Sequence, residues 1–360
     1  MDETYKLSFK SKDCINLIKE RIKNAKESID LEVFYFIEDK IGSDLLMLLI
    51  EKAKEGVEIR LLFDHLGSYD FSKSKTLEIL KRHTIKVLFF NSILPFTKNG
   101  KTIWYFRDHR RTIIIDNTYV FTGSACIGEP TTDWAELGIV VKDTSLAEKV
   151  QIVFNQTWNK VYHPTFNIGS VSKNDLQTKN DFSYITQAPL QFKRHIYKYY
   201  LKSIKNSKKT IYFVTPYFVP NAKFVRYLIS AAERQVQVTI VLPKKTDWTI
   251  VDIARNTYLR NMLENKINIY FHETMIHSKL AIFDNQEAFV GTLNLDNLSL
   301  RYNYECGIKI LHPDCVSELN SYVKNDLLPN SIKLNLKSWN KRGLFLKVIE
   351  KFVWFIRRFL

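Results

Sequence analysis

The stretch His277-Ser-Lys279-Leu-Ala-Ile-Phe-Asp284 predicts a β-strand that carries reactive side chains. Its β-branched and aromatic residues favour a strand, in which side chains two positions apart share a face, so His277 and Lys279 point the same way. This pairs a nucleophile or an acid with a fixed cation. Asp284 lies at an odd offset from His277 and points to the opposite face, where it is placed for a hairpin turn. We therefore predict chemistry at His277 and Lys279 and a structural role for Asp284.

An earlier stretch, His109-Arg-Arg111-Thr-Ile-Ile-Ile-Asp116, repeats this pattern. In both copies a glycine follows the histidine by fourteen positions, and a hydroxyl residue comes next, Ser124 in the first copy and Thr292 in the second. A glutamate in a strand-like run then follows each histidine, Glu136 by 27 positions and Glu305 by 28. Agreement at four points indicates an internal duplication. The aspartates that end the two stretches receive the same structural role.

Each copy is preceded by the same order of predicted elements, which is helix, strand, helix and strand. These elements are residues 11–26, 28–36, 44–54 and 57–63 in the first copy, and residues 197–204, 210–215, 223–233 and 236–242 in the second. Alternation of helices and strands predicts an α/β fold. Residues 163–182 are polar and lack a sustained period, so they predict a linker between halves that span 1–162 and 183–330. Halves packed around a pseudo-two-fold axis would bring the two histidine strands face to face and complete one shared site.

The composition is that of a globular protein with an anionic partner. Of the 360 residues, 45% are hydrophobic and 25% charged, and the formal net charge is +15. Nucleic acid and acidic lipid surfaces both suit that charge. No stretch approaches the roughly 20 apolar residues that span a bilayer, and the first twelve residues are too polar for a signal peptide. Any membrane contact is therefore predicted to be peripheral.

The four cysteines are spaced without any recognisable pattern. Cys14, Cys126, Cys306 and Cys315 form no C-x-x-C pair and no zinc-like grouping with histidine. They predict neither a disulfide framework nor a metal site, and a reducing compartment is the simplest fit.

The C-terminal residues 343–360 (GLFLKVIEKFVWFIRRFL) differ in character from the rest of the chain. Their polar residues fall on a narrow stripe, and aromatic and aliphatic residues cover the remaining face. A basic stripe beside a broad apolar face is typical of a helix that lies in a membrane interface, so residues 331–360 are predicted to form a membrane-binding amphipathic segment. The alternative is a helix docked on the protein's own core or on a second subunit.

Two histidines and two cations in one pocket suit attack on a phosphodiester. One neutral imidazole attacks phosphorus, and the other, protonated, donates to the leaving oxygen and then serves as the base for the incoming hydroxyl. Lys279 and Arg111 would hold the non-bridging oxygens, whose charge grows in the transition state. Glu136 and Glu305 are predicted to bond the far nitrogen of a histidine and to fix its tautomer. This chemistry requires no metal or other cofactor.

Further donors to the substrate phosphate are predicted beside each glycine. They are the side chains of Ser124, Thr292 and Asn294 and the backbone N–H groups that follow Gly123 and Gly291. A single His-x-Lys on a strand is usually only a solvated surface, and the duplication is what favours a functional interpretation here. The six other histidines lack repeat partners and are predicted to be structural or surface groups: His65, His83, His163, His195, His272 and His312.

The duplicated H-x-K-x4-D pattern resembles that of the phospholipase D superfamily, and within it the chain is most similar to bacterial cardiolipin synthases. Other stretches that carry this resemblance are residues 31–36 (LEVFYF), 64–68 (DHLGS), 215–220 (TPYFVP), 243–247 (PKKTD), 290–296 (VGTLNLD) and 303–305 (NYE). The resemblance covers roughly residues 20–325 and implies two α/β halves, each with a central mixed β-sheet. It also implies a covalent phosphatidyl-histidine intermediate, with His109 as the nucleophile and His277 as the acid, and conversion of two phosphatidylglycerols to cardiolipin and glycerol.

Two positions depart from the family's pattern. Arg111 stands where the first motif is expected to carry lysine, and the two cations are not interchangeable where a point charge is required. Cys126 stands where relatives usually carry asparagine, which removes one amide donor. These departures predict reduced activity or an altered acceptor.

Four functions are compatible with these observations. The favoured one is a phosphatidyltransferase bound peripherally at the cytoplasmic face of the cell membrane, with phospholipid, in particular phosphatidylglycerol, and an anionic membrane surface as its partners. Hydrolysis of phospholipids to phosphatidic acid would use the same intermediate. A nuclease of the same superfamily suits the basic charge but not the terminal segment, so nucleic acid is a less expected partner. The altered first motif motivates the last possibility, a non-catalytic membrane-binding or structural relative.

Overall fold

The computed structural model describes residues 4–93, 96–97, 100–101, 105–162, 180–189, 193–343, 349–350 and 353. The elements of the first half are β1 (Tyr5–Ser8), α1 (Ser11–Lys23), β2 (Ser28–Val33), α2 (Lys40–Lys54), β3 (Glu58–Asp64), α3 (Thr76–Arg82), β4 (Lys86–Phe90), β5 (Phe96–Thr97), β6 (Gly100–Lys101), β7 (Arg111–Ile115), β8 (Tyr119–Gly123), β9 (Gly138–Lys142) and α4 (Thr144–Tyr162).

The second half repeats the order of the main sheet strands and of the helices between them, with additional short elements. Its elements are β10 (Phe182–Gln187), α5 (His195–Asn206), β11 (Thr210–Val214), β12 (Phe218–Val219), α6 (Ala222–Glu233), β13 (Gln237–Pro243), α7 (Thr249–Glu264), β14 (Asn268–His272), β15 (Leu280–Phe283), β16 (Glu287–Gly291), β17 (Leu295–Asp296), α8 (Asn297–Arg301), β18 (Glu305–Ile310), α9 (Pro313–Ser321), β19 (Ser331–Lys333) and α10 (Leu336–Asn340). A π-helical turn, Tyr322–Leu327, follows α9 directly.

The two large sheets have the same plan. The strand order is β1-β9-β8-β7-β2-β3-β4 in the first and β10-β18-β16-β15-β11-β13-β14-β19 in the second, so the strands correspond position by position, with β19 as an extra edge strand. In each sheet three strands run parallel, β2, β3 and β4 or β11, β13 and β14, and the others pair antiparallel. The predicted α/β fold with two similar mixed sheets is confirmed.

One hydrophobic layer lies between the two sheets. It contains Ile114 and Ile139 of the first sheet, Ile282 and Ile308 of the second, and Phe154 of α4. The corresponding strands β8 and β16 contact each other across this layer, as a pseudo-two-fold axis requires. Separate apolar clusters cover the outer face of each sheet. The halves are therefore joined by a shared core, which holds the strands that carry the two motifs in a fixed relation.

Local side-chain chemistry explains where several predicted elements begin and end. The helix predicted over 44–54 begins at Lys40, because the Asp39 carboxylate accepts hydrogen bonds from the backbone N–H groups of Ile41 and Gly42 and caps it. The helix predicted over 11–26 ends at Lys23. The predicted linker 163–182 ends inside β10, at Phe182, and its residues 163–179 lie outside the described part of the chain.

The two motif aspartates hold the start of a neighbouring strand. Asp116 has a φ of 52° and Asp284 a φ of 53°, so both occupy the left-handed region in the turns that follow β7 and β15. The Asp116 carboxylate accepts hydrogen bonds from the backbone N–H groups of three successive residues that lead into β2. The Asp284 carboxylate does the same for the three residues that lead into β11. Both aspartates therefore have a structural role, and Asp116 holds the segment that connects α1 to β2.

The segment predicted as a terminal membrane helix, residues 331–360, begins with strand β19, which pairs antiparallel with β14. Most of the amphipathic stretch, residues 344–348, 351–352 and 354–360, lies outside the described residues. Ile349, Glu350 and Val353 are helical. Val353 is buried against Val219 and α7, and Glu350 pairs with Arg342. At these three positions the chain therefore packs on its own fold.

Across the part of the chain that the structure describes, none of the helices combines the length and the hydrophobicity that a bilayer crossing requires.

Candidate active site

Each motif histidine is anchored to the opposite half by backbone hydrogen bonds. The His109 N–H donates to the Tyr304 carbonyl at 2.9 Å, and the Tyr304 N–H donates to the Arg107 carbonyl at 2.9 Å. In the mirror arrangement, the His277 N–H donates to the Ala135 carbonyl at 2.8 Å. These bonds explain why β15 begins only at Leu280 although the sequence predicts a strand from His277. The residue before each glutamate thus fixes the histidine of the other half.

The two glutamates bond the histidines in a crossed arrangement. The His109 Nδ1 lies 3.0 Å and 3.1 Å from the two carboxylate oxygens of Glu305, and the His277 Nδ1 lies 2.8 Å from Glu136 Oε1. Both glutamates are fully buried. The predicted hydrogen bond of a glutamate to the far nitrogen of a histidine is therefore present twice, each time between the two halves. A proton on Nδ1 leaves Nε2 of a neutral imidazole with its lone pair, which faces the motif cation.

The motif cations lie beside Nε2 of their histidines. Lys279 Nζ is 2.8 Å from His277 Nε2 and donates to the His277 carbonyl at 2.8 Å. Arg111 Nη1 is 3.5 Å from His109 Nε2 and donates to the His109 carbonyl at 3.3 Å. The prediction that residues two positions apart share a face is confirmed for both pairs. Arg111 therefore lies farther from His109 than Lys279 lies from His277.

Cys126 links the two histidine–cation pairs. Its Sγ accepts a hydrogen bond from Arg111 Nη2 at 3.3 Å, and its sulfur, a His277 nitrogen and a Glu136 oxygen all lie within 4.8 Å of one another. A cation of the first half and a histidine of the second therefore approach the same thiol. The two incomplete motifs meet in one buried site.

Aromatic rings flank both imidazoles. The ring of Phe34 is 4.9 Å from that of His109, and the rings of Trp134 and Tyr217 are 5.0 Å and 6.4 Å from that of His277. Sequence reasoning gave none of these aromatic residues a role. Phe34 and Tyr217 lie in the stretches 31–36 and 215–220, so the family resemblance of those stretches could have indicated a role for them. For Trp134 the sequence offered only its position two residues before Glu136.

Buried ion pairs, which sequence reasoning also missed, hold the segment that enters β7. Arg107 Nη2 donates to the Asp64 carboxylate at 2.7 Å, and Asp64 also accepts from the Asp108 N–H at 2.9 Å. Arg110 Nε donates to Asp108 at 2.8 Å, and its Nη2 lies 3.0 Å from Glu32 Oε1. Asp64 and Glu32 belong to the stretches 64–68 and 31–36. Asp64 and Glu32 therefore hold the segment that carries His109.

The predicted phosphate-binding role of Ser124 and Thr292 stays a prediction, and the contacts of the two residues in this structure do not favour it. Both hydroxyls are fully buried and already bonded: Ser124 Oγ accepts from the Leu137 N–H at 2.8 Å, and Thr292 Oγ1 donates to the Glu305 carboxylate. The backbone N–H groups of both residues donate to the Leu137 and Cys306 carbonyls at 2.9 Å and are equally unavailable. The sequence could not show this, because the partners lie more than ten residues away along the chain. Ser124 holds Leu137, the residue after Glu136, and Thr292 holds Glu305 itself.

Asn294, Arg111 and Glu136 keep unused polar atoms at the site. Asn294 Oδ1, Arg111 Nε and Glu136 Oε2 are buried and have no hydrogen-bond partner among the described residues. Buried polar atoms are rarely left unpaired, so a polar ligand or water is expected beside them. The predicted contact of Asn294 with substrate phosphate therefore stays a prediction.

Burial and the two cations hold the imidazoles neutral. Burial, together with Lys279, lowers the pKa of His277 to about 4, and burial followed by Arg111 and Lys279 places the pKa of His109 well below its ordinary value. Burial and the nearby guanidinium of Arg111 lower the pKa of the Lys279 ammonium to about 7. Charged forms are disfavoured where water is excluded and where like charges approach.

The two buried carboxylates differ in charge. Burial raises the pKa of Glu305 to about 8, so this group is mostly protonated at neutral pH. Burial also acts to raise the pKa of Glu136, but the interaction with His277, their hydrogen bond and the charge of Lys279 outweigh it, and the pKa of Glu136 lies below its ordinary value. The His277–Glu136 pair therefore carries a negative charge that the His109–Glu305 pair lacks.

Cys126, Glu136 and His277 form the one group of candidate metal ligands among the described residues. A sequence pattern could not reveal it, because the three residues are far apart along the chain. Arg111, 3.3 Å from the thiol, and Lys279, 2.8 Å from the imidazole, would both repel a divalent cation there. The arrangement suits an anion, such as a phosphate group, far better than a metal ion.

A family model and curated relatives match most of the chain. Residues 18–158 and 200–327 match the family model described as cardiolipin synthase, PLD-like domain. The chain is 29% identical to the cardiolipin synthase of Geobacillus sp. (strain WCH70), over 94% of this chain and 68% of the relative. It is 30% identical to the major cardiolipin synthase ClsA of Bacillus subtilis (strain 168), over 91% of this chain and 70% of the relative.

The fold is shared with a solved structure of much lower sequence identity. The phosphatidylserine synthase of Haemophilus influenzae Rd KW20 superimposes with a TM-score of 0.76 at 12% identity, covering 100% of this chain and 96% of that one. At this identity the likeness concerns the fold alone.

Proposed function

Because the chain belongs to the cardiolipin synthase family of phospholipase D-like proteins, we propose that it is a phosphatidyltransferase that converts two phosphatidylglycerols to cardiolipin and glycerol. The observation that carries this proposal is the crossed site. Each of the two imidazoles has a cation at Nε2 and a carboxyl group from the other half at Nδ1, and the two sets of residues meet at Cys126. That arrangement supplies a nucleophile, an acid and two clamps for a phosphodiester.

The reaction proceeds in two transfers. His109 Nε2 attacks the phosphorus of the first phosphatidylglycerol, while His277 donates a proton to the departing glycerol oxygen. His277 then takes the proton of a glycerol hydroxyl on the second phosphatidylglycerol, and that oxygen displaces His109 from phosphorus. Arg111 and Lys279 hold the non-bridging oxygens throughout. The P–O bond broken in the first step is replaced by the P–O bond formed in the second.

The electrostatic difference between the two pairs supports this division of roles. A nucleophile must be neutral, and His109 faces a carboxyl group that is mostly protonated at neutral pH. An acid must carry a proton, and the ionised Glu136 stabilises an imidazolium at His277. Both imidazoles are neutral in the free protein. The negative charge of a bound phosphate offsets the two motif cations and thereby favours protonation of His277.

Purified protein incubated with phosphatidylglycerol vesicles and, separately, with single-stranded DNA tests the proposed function. We expect free glycerol together with a four-chain lipid product. Phosphatidic acid in place of that product would identify a hydrolase, because water and an alcohol compete for the same phosphohistidine. Nicked DNA with unchanged lipid would identify a nuclease. If neither the lipid nor the DNA changes, the protein is a non-catalytic relative.

The pH dependence of transfer should follow Lys279. The pKa of its ammonium lies at about 7, so the group is charged below that pH and loses its hold on the phosphate above it. We expect kcat/KM, which reports the free enzyme, to fall as pH rises through about 7 when measured from about pH 6 to about pH 9. Lys279→Arg should keep its charge and lose this alkaline limb, although its overall rate is lower.

The exposed Lys54 of α2 provides the matched control. Lys54→Arg should reproduce the pH profile of the parent. An alkaline limb that persists unchanged in Lys279→Arg would show that another group titrates.

We propose further that the enzyme acts peripherally at the cytoplasmic face of the membrane and contacts lipid through the rim of the site. Leu66 and Trp248 are 52% and 59% exposed, and each follows a corresponding strand, β3 or β13. The Leu66 loop is bonded to Phe34 through the Ser68 hydroxyl, and the Trp248 loop adjoins Tyr217, which bonds Asp247. Both loops therefore lie beside the rings that flank the histidines, on a protein of net charge +15.

Vesicle flotation tests this contact. The double variant Leu66→Ser/Trp248→Ser should bind phosphatidylglycerol vesicles about tenfold more weakly, because two large apolar side chains no longer enter the interface. Met47→Gln, which removes a 62% exposed apolar side chain from α2, should leave flotation unchanged. Equal binding by all three proteins would exclude this rim as the contact.

A further inference from the structure

Two of the positions at which the copies of the motif differ depart, in the first copy, from the family's pattern. The cation two residues after the histidine is Arg111 in the first copy and Lys279 in the second. Seventeen residues after the histidine stands Cys126 in the first copy and Asn294 in the second. Because the fold superimposes the copies strand by strand, each half offers an internal reference for the other. Both of these unusual residues, Arg111 and Cys126, lie in the first half.

The two differing residues of the first copy contact each other. Arg111 Nη2 donates to Cys126 Sγ at 3.3 Å, Nη1 donates to the His109 carbonyl, and Nε is buried without a partner among the described residues. Within the described part of the chain, Lys279 of the second copy bonds only His277, and the buried Asn294 keeps its Oδ1 unpaired. A cation and a neighbouring group therefore act together in the first copy and separately in the second.

The arginine of the first copy offers as many N–H donors as the lysine and the asparagine of the second copy together. A lysine and an asparagine offer three and two N–H donors, and an arginine alone offers five in a rigid planar fork. A cysteine sulfur is a weak acceptor that occupies little space and can hold one arm of that fork. In the first copy the cation is therefore larger and has more donors than in the second, whereas its neighbour Cys126 is smaller than Asn294 and contributes almost no donor.

We propose that Arg111 and Cys126 are a coupled pair, in which the guanidinium supplies to the phosphate the donors that Lys279 and Asn294 supply together, and the thiol positions the guanidinium. This inference rests on the proposed function. Arg111 would be a phosphate-binding residue and Cys126 a positioning residue. Reverting either one alone disrupts the pair, and reverting both recreates in the first half the arrangement that the second half already uses.

A double-mutant cycle on phosphatidyl transfer tests the coupling. Arg111→Lys leaves Cys126 without its donor and removes phosphate contacts, and Cys126→Asn places a branched amide where the guanidinium rests. We expect each single variant to lower kcat/KM about tenfold, and the double variant to lie within about threefold of the parent. Losses that add in the double variant would overturn the proposal. Thermal unfolding of all four proteins separates these effects from altered stability.

The pH profile provides a readout that a purely structural role would not move. The double variant carries two titratable ammonium groups at the site, so its alkaline limb should become steeper than that of the parent. Cys315→Ala, which removes a buried thiol outside the site, should leave both the rate and the profile unchanged. If the alkaline limb of the double variant is as steep as that of the parent, the lysine introduced at position 111 does not act on the phosphate as Lys279 does, and the proposal is contradicted.

Phosphate binding keeps the two proposals distinguishable. A parent protein without transfer activity would refute the proposed function, and the same cycle can then be measured as affinity for inorganic phosphate by calorimetry. Non-additive affinities would still support the coupled pair, whereas additive affinities would refute it. Transfer activity in the parent with additive losses would refute only the coupling.

Discussion

His109→Ala should lower kcat/KM for phosphatidyl transfer by about five to six orders of magnitude, because removal of a covalent nucleophile eliminates the intermediate itself. His277→Ala should lower it by about two to four orders of magnitude, the range of a lost general acid–base group. Both variants should remain folded, because the shared core between the sheets does not depend on either ring. Glycerol release from phosphatidylglycerol vesicles measures both losses.

A substrate with a good leaving group assigns the roles of the two histidines. A p-nitrophenyl phosphodiester needs no proton on its departing oxygen, so His277→Ala should recover most of its rate of p-nitrophenol release, and His109→Ala should recover none. The reverse result would make His277 the nucleophile. His83→Ala, at a histidine that lies at the end of α3 and outside the site, serves as the control and should match the parent on both substrates.

Replacing Glu136 and Glu305 one at a time by glutamine should show that the two carboxyl groups differ in charge. Glu136 is ionised beside His277, and Glu136→Gln should lower kcat about a thousandfold at neutral pH, close to the loss expected when a histidine loses the anion that orients it. Glu305 is mostly protonated at neutral pH because burial raises its pKa to about 8. Glu305→Gln therefore preserves the charge of the site, and we expect a loss of only about tenfold.

The difference between the two glutamine variants should depend on pH. Above about pH 8 the parent gains a negative charge at Glu305 that Glu305→Gln cannot gain, so the rate ratio of parent to variant should change there and stay constant below it. Glu51→Gln, an exposed carboxylate on α2, is the matched control. Equal losses in the Glu136 and Glu305 variants at neutral pH would contradict the assignment of acid and nucleophile.

The duplication and the sheet plan could be predicted from the sequence because they depend on spacing. Side chains two apart share a face in any extended chain, so His277 was paired with Lys279 and His109 with Arg111 without coordinates. The turn at Asp284 could be predicted for the same reason, since its odd offset from His277 placed it away from the site. These inferences required only local geometry.

The contacts between the halves could not be predicted in this way. Nothing in the spacing says that Glu305 serves His109 and that Glu136 serves His277, because either pairing satisfies the same repeat. The burial of Ser124 and Thr292 against neighbouring strands also arises from register within the sheet. The cysteine pattern contained no sign that Cys126 meets Arg111, since that contact depends on two strands of one sheet lying side by side.

The exchange of carboxyl groups between the halves means that neither half holds a complete site. One repeat alone would present an imidazole with no acid group behind it, so a half expressed by itself is expected to be inactive until two copies associate. Joining both copies in one chain makes that association permanent and allows matching positions to carry unequal residues, as Arg111 and Lys279 do.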